Sequence, residues 1–438
     1  MPRARTLTPH ARAAALTLSL AVAGCAAGPR PTEAPWAETL RGDDSHYIVL
    51  AVTNDPGHAN APTGGTLRAY GGANDYVVSD GARRTLRAVT AQYHLRSVAA
   101  WPIALLHLQC VVFAVPADAA RDAVLAQLQQ DSRVALAEPL HRYELQTAGS
   151  DAHADAPVDA PGSVQASNER MEVSAAHRLA TGRGVRVALV DTGLDSTHPD
   201  LRGRISSQRN FVDTDERQFQ QDRHGTAVAG VIAANAGKGH GLIGVAPEAQ
   251  LLALKACWQL QEGHDAARCN AFTLAKALVS AVELKAQIIN LSLTGPPDPL
   301  LAALARQAMR KGIVLIGPSS AVPSFPGDVA QLLGVARSED HDAPSGVLQA
   351  PGRDVMTLAP GGHYDFSSGS SIATGEITGI AALMLSRDAT LTAANLHRLL
   401  DLASDSRDTA AGPDRSVNAC QALAKLVSGA NCAAHAAN

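Results

Sequence analysis

Three short segments of this 438-residue chain carry the residue types of nucleophilic catalysis. Asp191 precedes Thr192-Gly193, His224 precedes Gly225-Thr226, and Ser371 lies within Gly369-Ser370-Ser371-Ile372-Ala373. A serine hydroxyl attacks a carbonyl well only when a base removes its proton. A histidine serves as that base when a carboxylate holds its Nδ1 proton and fixes its tautomer. The three stand in the order Asp, His, Ser, separated by 224 − 191 = 33 and 371 − 224 = 147 residues.

The elements around them suit that chemistry. Residues 185–190 are an apolar run interrupted only by Arg186, the pattern of a strand buried on both faces of a parallel sheet. Asp191 follows at the carboxyl edge, where open α/β sheets build their sites. His224 and Ser371 each open a helical stretch, where free N–H groups and the positive dipole end favour negative charge. The Ser371 N–H is therefore an expected donor to an oxyanion. Further apolar runs at 251–254, 288–293, 313–316 and 332–335 alternate with helical stretches at 226–234, 271–285, 300–310 and 372–386. Strand alternating with helix predicts a parallel α/β sheet with right-handed crossovers. A nucleotide site is not supported, because neither a GxGxxG nor a P-loop lysine follows the run at 185–190.

Ahead of this unit, residues 45–145 form a separate pattern. A strand is expected at 47–52, a helix at 83–95, a strand at 107–115 and an amphipathic helix at 119–130. A strand at 134–137 and an extended tail at 139–145 close it, an order that fits a small α+β, ferredoxin-like domain. Residues 146–166 are rich in Ala, Asp, Gly and Pro and predict a linker open to proteolysis. The second unit spans 167–438.

The first 24 residues suggest an export signal: Arg3, Arg5 and Arg12 precede a short apolar run that ends in Val22-Ala23-Gly24-Cys25. This resembles a bacterial lipobox, in which Cys25 takes the lipid and residues 25–44 act as a tether to the membrane. Ala26, rather than an aspartate, follows it and points to the outer membrane of a Gram-negative cell envelope, with secretion as the other outcome. The net charge of −4 and the absence of a polybasic run argue against nucleic acid as a partner. Export permits disulfides. Cys257 with Cys269, and Cys420 with Cys432, are plausible local pairs that leave Cys110 over. No CxxC or His/Cys cluster suggests a metal.

The chain resembles the subtilisin-like serine peptidases, the subtilases. The resemblance rests on the segment from Gly184 to Leu201, on His224-Gly-Thr-Ala-Val-Ala-Gly230, on Gly244-Val-Ala-Pro247, on Ile289-Asn-Leu-Ser-Leu293 and on Gly369–Thr374, and it covers roughly residues 167–400. It implies a subtilisin-like parallel sheet flanked by helices, with Asp191, His224 and Ser371 as the catalytic set. It implies polypeptide substrates bound along Ser292, Leu293, Thr294 and Gly295, and a 45–145 propeptide that blocks the groove in cis until cleavage in the linker. No cofactor is required. Calcium is possible, with Asp195, Asp200, Asp213 and Asp215 as candidate ligands.

The pattern breaks at one place. The family takes a second oxyanion donor from an Asn side chain, and here Pro318 stands at that position, in Gly312-Ile-Val-Leu-Ile-Gly-Pro-Ser-Ser320. Proline supplies neither an N–H nor a side-chain donor, and no asparagine lies between Asn290 and Asn395 to replace it. Ser319 or Ser320 is a possible substitute. The alternative reading is a weakly active or inactive fold that binds peptides. Thr294 replaces the family's Gly, Ile372 its Met and Gly375 its Pro, the last loosening the helix that begins at Ser371.

Overall fold

The computed structural model describes residues 36–42, 45–55, 78–145, 165–235, 241–261, 266–319, 321–340, 342–409, 412–427 and 432. Cys25, the signal segment, Ser320 and residues 146–164 of the linker lie outside them.

The first unit contains α1 (Trp36–Arg41), β1 (Tyr47–Thr53), α2 (Asp80–Gln92), β2 (Arg96–Ile103), β3 (Leu108–Ala114), α3 (Arg121–Gln130), β4 (Leu136–Pro139) and β5 (Arg142–Leu145). The order β2-β3-β1-β4, antiparallel at each junction, with two helices interleaved, is the expected ferredoxin-like arrangement. Side chains alternate across this sheet. Ile48, Leu50, Val52, Val111 and Phe113 pack on α2 and α3, while Val49, Ala51, Trp101 and Val112 join the core of the second unit. Two features differ from expectation. β2 carries Arg96, Ser97 and Pro102, too broken a pattern to mark a strand, yet β3 supplies its partner. Within the segment expected to be a tether, α1 buries Leu40, whose carbonyl accepts from Asn270 Nδ2 at 3.1 Å.

The second unit runs α4 (Ala166–Arg170), α5 (Val173–His177), β6 (Arg186–Asp191), β7 (Ile205–Asn210), α6 (Glu216–Gln221), α7 (Arg223–Ala233), β8 (Gln250–Lys255), β9 (Cys257–Gln259), β10 (Ala267–Asn270) and α8 (Ala271–Glu283). It continues with β11 (Ile288–Leu291), β12 (Leu293–Thr294), α9 (Pro299–Arg310), β13 (Val314–Pro318), β14 (Leu333–Arg337), β15 (Leu348–Ala350), the hairpin β16 (Val355–Ala359) and β17 (His363–Ser367), α10 (Ser370–Arg387), α11 (Ala393–Asp401), the hairpin β18 (Ser404–Thr409) and β19 (Gly412–Val417), and α12 (Ala419–Ala424).

Seven parallel strands in the order β15-β14-β13-β11-β6-β8-β7 form the central sheet. Its apolar runs serve two cores in alternation. Val187, Leu189, Leu251, Ala253, Ile288 and Val314 face the core shared with α7 and α10. Ala188, Val190, Leu252, Leu254, Ile289 and Leu315 face α8 and α9. Local signals set the helix starts: Asn270 and Thr273 make a reciprocal capping box on α8, and Asp298 caps α9 ahead of Pro299. Disulfides join Cys257 to Cys269 and Cys420 to Cys432, and Cys110 is a buried free thiol, as the local pairing anticipated.

β5 leaves its own unit altogether. It enters a four-stranded sheet of order β12-β5-β10-β9, antiparallel to both neighbours. The extended tail expected at 139–145 is thus a strand lodged in the second unit.

Candidate active site

Asp191 ends β6, and His224 is the second residue of α7. His224 Nδ1 lies 2.7 Å from Asp191 Oδ1, and both side chains are about 98 % buried or more, with 1 % and 2 % exposure. Asp191 Oδ1 also accepts from the Thr192 N–H at 2.7 Å, which fixes the carboxylate plane. The small residues flanking each are what permit this approach. A Cβ on Gly225 would sit 1.9 Å from the Gly193 carbonyl oxygen, so no side chain fits where α7 meets the turn after β6. Gly193 itself has φ +117° and abuts Asp222 and Phe219. Thr226 locks the junction: its Oγ1 donates to the Asp222 carbonyl at 2.6 Å and accepts from the Asp195 N–H at 2.9 Å.

Ser371 is the second residue of α10 and is fully buried. α10 packs along α7 on the same face of the sheet. Gly375 lies at that contact, since a Cβ there would meet Val231 Cγ1 at 3.2 Å. The glycine expected to loosen the helix is where the two helices close. Thr378 Oγ1 donates to Asn290 Oδ1 at 2.8 Å, and Asn290 Nδ2 donates to Ser292 Oγ at 2.9 Å, tying α10 to the end of β11.

Of the groove residues, Leu293 and Thr294 pair with Leu145 and Glu144 of β5. Ser292 is buried and satisfied by Asn290. Gly295 exchanges backbone hydrogen bonds with Phe325 and touches the Tyr143 ring. A cleft of about 540 Å³, lined by Thr294, Pro318, Ser319, Gly369 and Ser370 among others, opens beside the start of α10. Pro318 closes β13 in register with Val335 and lines this cleft.

The four aspartates considered for calcium are engaged in hydrogen bonds within the protein, and Asp213 Oδ1 accepts from the Asp215 N–H at 3.0 Å. Asp195 accepts from Thr197 and the Gly361 N–H, Asp200 from Tyr364 and the Leu242 N–H, and Asp213 pairs with Arg41, while Asp215 caps α6. Among the described residues the one cluster of metal-ligating types is Glu172, Cys420 and Cys432, whose two sulfurs are joined to each other.

Two ionisable residues at the site, Lys255 and Asp222, were not singled out from sequence. Lys255, the lone charge in a strand of Leu and Ala, donates to the Thr192 carbonyl and to Asp222 Oδ2. Burial pushes the Asp222 carboxyl up to about 7 against the pull of Lys255, with the charges of Asp191 and Asp213 adding to it. A lysine ending an apolar strand and an aspartate two residues before His224 were the available signals.

Comparison with known proteins agrees with this architecture. The chain matches the subtilase family over residues 182–321, a span that holds Asp191 and His224 and stops before Ser371. An intracellular serine protease of Paenibacillus polymyxa is 34% identical over 239 residues, 49% of this chain and 71% of the relative. Thermitase of Thermoactinomyces vulgaris is 29% identical over 250 residues, 54% of this chain and 87% of the relative. The fold is that of fervidolysin from Fervidobacterium pennivorans, a keratinolytic enzyme related to subtilisin, with a TM-score of 0.63 at 17% identity. That alignment covers 87% of this chain and 61% of fervidolysin. The chain belongs to the subtilase family and is a subtilisin-like serine endopeptidase.

Proposed function

We propose that Ser371 is the nucleophile, His224 the general base and Asp191 the group that orients it, and that the protein is made as an exported precursor processed by its own active site. The observation that carries the reading is the 2.7 Å bond between His224 Nδ1 and Asp191 Oδ1 at the carboxyl edge of the sheet. With Nδ1–H held by the carboxylate, Nε2 is the basic nitrogen. It takes the Ser371 proton as Oγ bonds to the peptide carbonyl carbon. The same proton passes to the amine as the C–N bond breaks. Water then adds to the acyl-enzyme by the reverse use of His224, releasing the acid and restoring Ser371. The chemistry requires no cofactor.

Substrate lies as an added antiparallel strand against Leu293-Thr294, with Ser292 and Gly295 bounding it. In the precursor that place belongs to β5, which supports reading residues 45–145 as an inhibitory propeptide acting in cis. Cleavage within 146–166 would free the groove. Lipid on Cys25 would hold the precursor at the cell envelope, with residues 25–35 as the link to α1, where Leu40 is buried.

The test is the intact mass of exported wild type beside Ser371→Ala. Wild type shortened to a residue within 146–166, with the variant left whole, supports the assignment. Equal shortening of both would end the claim of self-processing. Pro318 favours a second reading, a peptide-binding fold of little or no activity. A purified protein that takes up a fluorophosphonate no faster than Ser371→Ala would favour it.

A further inference from the structure

Among the described residues Tyr143 is the largest fully buried side chain, and it lies between the two units. Along β5 the burial alternates: Tyr143 and Leu145 point in, and Glu144 points out. The Tyr143 ring meets Phe325 edge-on, with centroids 5.7 Å apart. Its other side rests on Gly295, where a Cβ would fall 2.4 Å from the ring, so any larger residue at 295 closes the pocket. At the floor, Tyr143 Oη donates to Asp298 Oδ2 at 2.9 Å. Asp298 cannot swing away, because its Oδ1 accepts from the Leu301 N–H at 2.8 Å as the cap of α9. Phe325, Gly295 and Asp298 all belong to the second unit and stay when β5 leaves.

The register says where this pocket sits relative to the chemistry. As β5 advances from Glu144 to Leu145, its partner retreats from Thr294 to Leu293, toward β11 and the carboxyl edge of the central sheet. The tail therefore runs from the Tyr143 pocket toward the edge that holds Asp191.

We propose that this pocket is a specificity subsite and that Asp298 selects substrates with tyrosine at the position of Tyr143, two residues before the one that pairs with Leu293. The inference rests on the peptidase reading above and names the substrate class for the same groove. An apolar pocket alone distinguishes tyrosine from phenylalanine poorly. Asp298 Oδ2 also lies 3.0 Å from His141 Nδ1, which leaves with the tail, so in a substrate without that histidine the fixed carboxylate at the floor is left unmet when phenylalanine enters, and that asymmetry gives discrimination. Burial holds the Tyr143 hydroxyl well above the usual phenol range, with Asp298 adding to it, so it remains a donor. Thr294 and the cleft beyond it govern other positions.

The experiment uses quenched fluorogenic peptides spanning the sequence 142–149, which leave out His141, with tyrosine, phenylalanine or leucine at position 143, and the processed protein. The expected kcat/KM for tyrosine exceeds that for phenylalanine by about ten-fold or more. In Asp298→Asn, which keeps a good helix cap, the ratio falls to within about two-fold. A merely structural role for Asp298 would lower all three peptides together. Equal cleavage of the tyrosine and phenylalanine peptides by wild type overturns the proposal. If the protein fails to label with a fluorophosphonate, the peptidase reading fails instead, and the pocket is read by binding. Full-length Tyr143→Ala/Ser371→Ala, whose own tail has lost its anchor, is titrated with the same labelled peptides by anisotropy. Tighter binding of tyrosine supports the subsite, and equal binding overturns it.

Discussion

Lys255 stands directly across from Asp191 in the β6–β8 register, and its ammonium is shared by the Thr192 carbonyl and the Asp222 carboxylate. All of this is buried, with Lys255 and Asp191 each 1 % exposed. One cation thus ties together the turn after Asp191 and the residue that caps the helix of His224. It also lies across the strand pair from Asp191, the carboxylate that holds the imidazole.

Lys255→Met removes that charge and leaves Asp222 buried without its partner. Loss of one member of a buried pair costs about 3–5 kcal/mol, so the melting temperature falls. Less positive charge near His224 favours its imidazolium, so the acid limb of kcat/KM moves to higher pH. The double change Lys255→Met/Asp222→Asn recovers stability but not the wild-type pH profile. Thermal melts and pH-rate curves check both, and an unmoved acid limb would confine Lys255 to a structural role.

Pro318→Asn returns a side-chain donor to the cleft beside Ser370. One oxyanion donor is worth about 10²–10³ in kcat. The expected variant turns over faster by up to that factor with KM little changed, because the contact forms mainly in the transition state. Pro318→Ala restores an N–H without the amide and separates backbone relief from side-chain donation. Should both variants match wild type, Pro318 is not what limits the rate.

The parallel sheet, the helix carrying Ser371 and the strand ending in Asp191 were legible in the sequence because each is a long periodic or apolar run. Local cysteine pairing was legible for the same reason, since 12 residues separate each pair. What stayed hidden was long-range. β7 reads Ile-Ser-Ser-Gln-Arg-Asn and becomes a strand only because β8 supplies its hydrogen bonds. The place of Asp222 depends on Lys255, 33 residues on, and that of Tyr143 on Asp298, 155 residues on. Gly375 looked like a weak point in a helix until the approach of α7 gave it a purpose.

Glu138 lies in β4 at the junction of the two units, 3 % exposed and within the field of Asp298. Burial, with the Asp298 charge second, pushes its carboxyl up to about 10 from a usual 4.5. The docked unit therefore holds a proton that the released unit gives up. Docking is strongest below about 4.5 and weakens as pH rises toward about 10. His141, whose Nδ1 is 3.0 Å from Asp298 Oδ2, faces the same carboxylate. After cleavage, activity should appear faster at pH 9 than at pH 6, and Glu138→Gln should flatten that difference. Time courses of peptide hydrolysis across that range check it, and a Gln variant with the wild-type slope would exclude Glu138 as the source.

Glu376 lies five residues into the helix after Ser371, in a position 1 % exposed, and its Oε2 has no hydrogen-bond partner among the described residues. Burial pushes its carboxyl up to about 8 from 4.5, opposed in part by a hydrogen bond from Ser167 at the start of α4. The folded state thus holds a proton that the unfolded chain releases above about 4.5. Stability from this site is complete below that pH and drains as pH climbs through about 8. Each pH unit in that window costs up to about 1.4 kcal/mol, so the loss between pH 5 and pH 8 reaches a few kcal/mol. Glu376→Gln keeps shape and hydrogen bonding without the titration. Its melting temperature should match wild type near pH 5 and exceed it increasingly toward pH 8. Glu376→Met should gain further, since an apolar chain of similar volume needs no partner there. Parallel melting curves for wild type and Gln across that range would mean that Glu376 is ionised and compensated in the folded protein, and that the helix bearing Ser371 carries a charge at its core.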